Sequence, residues 1–157
     1  MSLDLFIVCF RKGEPAPYDR EIFDRIFLPH FDHAERRQPD HGSVQVTFSD
    51  GSRSDIGISY DGPNINCVSF GHFGGAALFD AMYELADRSS SIICWPSPEL
   101  FSAVTNDVVI EDLPEEGFSN RALIKIVHSG AELSTLIDSS FSSLEALAAF
   151  CLDRLRR

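Results

Sequence analysis

Apolar residues occupy both faces of the stretch from Leu3 to Phe10. Leu5, Ile7 and Cys9 fall on one side of an extended chain, and Phe6, Val8 and Phe10 on the other. Two apolar faces need cover on both sides, so the pattern predicts a central strand. Arg11 to Pro17 carries no period and reads as a loop. From Tyr18 to Leu28 the apolar positions Ile22, Phe23, Ile26 and Phe27 recur at helical spacing, with Asp19, Arg20, Asp24 and Arg25 opposite, and Pro29 stops that helix.

Further along, Val44, Val46 and Phe48 alternate with polar residues, Asp50-Gly51 provides two positions for positive φ in a tight turn, and Ile56, Ile58 and Tyr60 resume the alternation. The two rows predict a hairpin with one wet face. Asp61-Gly62-Pro63-Asn64 turns into a third strand, Ile65 to Phe70, which extends the hairpin to an antiparallel meander. Gly74-Gly75 opens a helix to about Asp87, striped by Leu78, Phe79, Met82, Leu85 and Ala86. Ser91 to Trp95 reads as a short buried strand, and Ser97-Pro98 caps a short helix to Ala103. Asn106 to Asn120 shows no decisive period. Leu123 to His128 is a β-branched strand ended by Ser129-Gly130, and Ala131 to Ile137 forms one or two helical turns. Ser142 with Glu145 makes a capping box for a terminal helix buried along Leu144, Leu147, Ala148, Cys151 and Leu155. The expectation is a single α+β domain over residues 1–157, with a mainly antiparallel sheet of about five or six strands and helices packed on it.

Composition is that of an ordinary globular chain, and the charge is not. The formal net charge is -11, and between Gln38 and Asn120 there are thirteen acidic residues against two basic ones, Arg53 and Arg88, so the whole excess sits in the middle of the chain. Phosphate backbones and anionic membranes attract the opposite sign, which argues against nucleic acid and membrane partners and for a basic one. The start of the chain lacks the basic flank of a secretory signal, and no uncharged window reads as a spanning helix, so a soluble cytoplasmic protein is expected.

Candidate chemistry is sparse. Cys9, Cys67, Cys94 and Cys151 are far apart without a C-x-x-C pair and read as reduced core residues. A thiol nucleophile at Cys94 beside His72 or His128 is disfavoured by the apolar run Ile92-Ile93-Cys94-Trp95, where a thiolate is poorly stabilised. His30, His33 and His41, with Asp32 and Asp40, form the one metal-like cluster, although the spacing matches no standard zinc motif. Gly71-His72-Phe73-Gly74-Gly75, between a strand and a helix, has the place of a phosphate cradle without its motif, and turn chemistry accounts for its glycines. No cofactor and no catalytic residues are assigned.

The run Leu3-Asp4-Leu5-Phe6-Ile7-Val8-Cys9-Phe10-Arg11-Lys12-Gly13-Glu14, followed by the Asp-Gly hairpin, a helix and Ser91-Ile92-Ile93-Cys94-Trp95-Pro96, resembles a group of small uncharacterised bacterial proteins. These are themselves similar to immunity partners encoded beside secreted or contact-delivered toxins. The resemblance spans roughly the first hundred residues and rests on arrangement rather than on a motif. It implies a cytoplasmic binding protein, not an enzyme, that neutralises one cognate toxin domain. On that reading the acidic run Asp107, Glu111, Asp112, Glu115 and Glu116, five carboxylates within ten residues, meets a basic toxin domain, with Phe101 and Phe118 as apolar anchors. Two alternatives stay open: a small metal-dependent enzyme built on His30, His33 and His41, and a scaffold or oligomerisation module using an exposed patch of Phe70, Phe73 and Trp95.

Overall fold

The computed structural model describes residues 4–32, 43–96 and 102–140. The two-faced apolar run at the start forms β1 (Leu5–Arg11), which lies inside the sheet between β6 and β7. Lys12 and Gly13, with φ of 51° and 80°, form the two-residue turn into β2 (Glu14–Ala16), which pairs back on β1. The stretch read as a loop therefore contains a strand. Next come β3 (Tyr18–Asp19) and α1 (Arg20–Phe27), whose Asp19 cap accepts the Glu21 N–H at 2.9 Å. Pro29 sits in a 3-10 turn, Leu28–His30, that ends the helix.

β4 (Ser43–Thr47) and β5 (Arg53–Asp61) form the expected hairpin, with Val44 opposite Ile56. Its turn differs in type. Gly51 N–H donates to Phe48 O at 3.0 Å and Phe48 N–H to Ser52 O at 2.8 Å, with Gly51 alone at positive φ, 87°. This is a three-residue loop with a glycine bulge, so Asp50 has no left-handed conformation to adopt. Tyr60, at the end of the inward row, is half-buried beneath the Arg20 guanidinium, 4.6 Å from its ring centroid. β6 (Asn64–Gly74) completes the meander and runs farther than its alternation implied. α2 (Ala76–Ser89) follows, then β7 (Ile92–Cys94), β8 (Ser102–Val104), α3 (Asp107–Glu111), a 3-10 turn at Arg121–Leu123, β9 (Ile124–Ile126) and a helix over residues 130–140.

The strands order as β4-β5-β6-β1-β7-β8-β9, with β2 on β1 and β3 on β6, and only β8 and β9 run parallel. Among the described residues nine strands replace the expected five or six, because the additions β2, β3 and β8 hold only two or three residues each, too few to show a period. Ser102 and Ala103, expected at the end of a helix, are strand residues because Ala103 is held between Ile93 and Lys125. Residues 97–101 and the capping box at Ser142 lie outside the described residues.

One face of the sheet packs Leu5, Ile7, Ile56, Ile58, Val68 and Phe70 against α1, α2 and the 130–140 helix, which adds Leu133 and Ile137. Phe23, Phe27 and Phe70 are fully buried there, with Phe27 5.0 Å from Phe23 and 5.5 Å from Phe70. Each such side chain contributes roughly 1.5–3 kcal/mol of burial. The whole predicted stripe of α2 is buried with them. The other face holds a smaller cluster over β1 and β7 to β9: Ile92, Val104 and Ile124 lie under Val109 and Leu113, with Val8, Phe10, Ile110 and Phe118 around them.

Candidate partner-binding surface

The segment after β8 owes its shape to local capping and to contacts with distant chain. Asn106 caps α3 by accepting the Val109 N–H at 3.4 Å. Val109 and Leu113 then turn inward and cover the second face of the sheet. The Arg121 guanidinium donates to the carbonyls of Ile110 (3.4 Å), which also accepts the Leu113 N–H, and of Leu113 (3.3 Å), and so fastens the end of α3. The β1–β2 turn holds the same segment from the other side. Gly13 N–H donates to Asp112 O at 2.9 Å, Lys12 N–H to Asp112 Oδ1 at 3.0 Å, and Arg11 Nη1 lies 3.9 Å from Asp112 Oδ2.

These contacts separate the predicted site residues into two sets. Asp112 is half-buried and engaged with Arg11, Lys12 and Gly13. Its partners come from the far end of the sequence, so this member of the acidic run is held by the fold. Phe118 is likewise half-buried, its ring edge-on to Phe10 at 5.6 Å, which makes it a packing residue rather than a free anchor. Asp107, Glu111, Glu115 and Glu116 are exposed and have no ion-pair partner among the described residues. Asp107 also gains from the first turn of α3, where a negative charge is favoured. Phe101 lies outside the described residues. Sequence reasoning missed Val108, the most exposed large apolar residue described (63%), and Ile126 (42%); Val108 adjoins Val109, which is buried, and only the packing tells them apart.

The other candidates resolve differently. The glycine-rich stretch continues β6 as far as Gly74, and an open pocket of about 530 Å³ lies between it and the β4–β5 turn, lined by Asp50, Arg53, His72 and Gly75 among others. The donor that a phosphate needs there is taken. Ala77 N–H, in the first turn of α2, donates to Asp50 Oδ2 at 3.0 Å, while Asp50 Oδ1 accepts the Ser52 N–H at 2.8 Å. Ser52, which donates its N–H, and then the Ala77 N–H hold the Asp50 carboxyl below its ordinary range. The protein's own carboxylate thus fills the anion position at this helix end.

His30 stacks on Phe48 at 4.1 Å, and its two companions in the metal reading, His33 and His41, lie outside the described residues. Burial pushes the Cys94 thiol up to about 12, and Cys67 and Cys9 are raised by the same cause. None of the three is a ready thiolate. The aromatic scaffold patch is contradicted: Phe70 and Trp95 are buried, and Phe73 packs against Phe79 at 6.0 Å. Phe70 and Phe73 on β6, and Trp95 just after β7, all pack into the main core.

No protein-family model, curated protein or solved structure matches the chain. Among the described residues no helix is long and apolar enough to cross a membrane.

Proposed function

We propose that this chain is a non-catalytic binding protein of the immunity type, which captures a basic toxin domain through the surface carrying Asp107, Glu111, Glu115, Glu116 and Val108. The observation that carries the reading is a set of exposed carboxylates without cationic partners among the described residues, displayed on a segment pinned to the sheet. Like charges held close repel one another, and a basic partner relieves that repulsion. A surface already ordered spends little further conformational entropy on binding. Carboxylates so presented occupy the groove of a nuclease where phosphates otherwise sit, and the field of a chain with net charge -11 speeds the encounter.

The test uses the purified product of the neighbouring gene as ligand. Changing Glu111, Glu115 and Glu116 together to Gln slows association at low salt and flattens its salt dependence, while stability stays within about 0.5 kcal/mol of the parent. Asp112 is left out of the set because of its structural bonds. An unchanged rate and salt dependence removes the reading.

A further inference from the structure

The two edges of the sheet differ. At β4, Phe31 bridges to Val46 and Asp32 N–H donates to Gln45 O at 3.1 Å, so that edge is covered. At the other edge β9 runs parallel to β8, and Val127 N–H donates to Val104 O at 2.9 Å. In a parallel ladder alternate residues turn their N–H and C=O groups toward the same neighbour. Val127 and Lys125 therefore face β8, Ile126 directs both its backbone groups outward and Ile124 its carbonyl, the Ile124 N–H donating to Arg121 O, and no strand pairs with this edge among the described residues.

Side chains add direction to this edge. Ile124 is buried in the smaller cluster, so Ile126, two positions on, lies on the same face as α3. It is 42% exposed there, on the face that also carries the exposed Asp107 and Glu111. A second copy is a poor occupant. A symmetric antiparallel pairing centred on Lys125 sets two lysines opposite each other and brings together two chains of charge -11.

We propose that β9 is the docking edge for an extended segment of the basic partner, which adds as the next strand with an apolar side chain against Ile126 and Lys or Arg side chains toward Asp107 and Glu111. The inference rests on the acidic-surface reading and supplies its docking mode, in which main-chain bonds give affinity and alternate side chains give specificity.

The probe is a short peptide alternating lysine and valine, compared with the same peptide N-methylated at alternate residues, which keeps the charge and removes the pairing donors. The unmodified peptide is expected to slow amide exchange at Ile126 and to bind roughly tenfold more tightly than the methylated one. Ile126→Pro removes an N–H that no bond among the described residues uses. It is expected to weaken the unmodified peptide by a similar factor without lowering the melting temperature. Equal binding of the two peptides, with NMR shifts confined to α3, overturns strand addition and leaves the acidic surface standing. Binding of neither peptide also overturns strand addition, and the acidic surface is then judged by the association rates with the neighbouring gene product. Self-association lost on Ile126→Pro overturns the proposal by assigning the edge to a second copy.

Discussion

Asp112 accepts the Lys12 N–H at 3.0 Å across a sequence separation of 100 residues, and in doing so ties the β1–β2 turn to the acidic segment. Asp112→Ala leaves that turn N–H to water and is expected to lower stability by about 1 kcal/mol. Asp112→Asn, which keeps an acceptor, loses less. Urea denaturation of the two variants measures the difference, and equal losses show that the carboxylate acts through charge with Arg11 rather than through the turn.

Phe118 and Val108 make a paired test of what holds the segment and what it presents. Phe118→Ala removes the edge-on contact with Phe10 and is expected to cost roughly 1–3 kcal/mol, less than a fully buried ring because Phe118 is half-buried. Val108→Ser is expected to change stability by less than about 0.5 kcal/mol and to speed dissociation of the partner. Thermal melts separate the two, and a destabilised Val108→Ser shows that the residue packs rather than presents.

Asp50 links the β4–β5 turn to the first turn of α2, and its carboxyl titrates lower when folded than in the open chain. A depressed folded value stabilises the fold above the unfolded value near pH 4 and loses that contribution as pH falls through the folded value. Stability of the parent is therefore expected to fall more steeply on the acid side than that of Asp50→Asn, which keeps an acceptor for Ala77 without the titration. Parallel acid profiles show that the link contributes no pH dependence.

The thiols of Cys67 and Cys94 are pushed upward by burial, Cys94 to about 12. A raised folded value favours the neutral thiol, with a contribution present below the ordinary value near 9 and lost as pH rises through the folded one. Both cysteines are expected to react slowly with a thiol-specific disulfide reagent at neutral pH and rapidly once unfolded. Fast native labelling at Cys94, located by mass spectrometry, reopens the nucleophile reading.

Gly51 occupies the bulge of the β4–β5 turn at φ 87°, with no atom near the place of a Cβ. The cost of a substitution is therefore conformational and not steric. Gly51→Ala is expected to destabilise by roughly 1 kcal/mol and Gly51→Val by more, because a branched side chain is excluded from that region. Chemical denaturation that ranks the two equally places the cost elsewhere.

The elements legible from the sequence are those whose signal is local. The two apolar faces of β1, the alternation through Val44 and Ile56 and the stripe from Leu78 to Ala86 each span enough residues to show a period, and a period states which side chains share a face. The acidic run was legible as charge for the same reason, since it lies within one short stretch. What tertiary structure decided is who meets whom. β2, β3 and β8 are strands because a neighbour pairs with them, and two or three residues carry no period of their own. Asp112 and Glu111 are equal neighbours in the sequence; the I′ turn at Lys12-Gly13 takes Asp112 into the fold and leaves Glu111 in solvent. Phe118 is claimed by Phe10 in the same way, and Val108 is left outward by the packing of Val109. Such pairings join residues separated by most of the chain, and their energy depends on a meeting that no local pattern encodes.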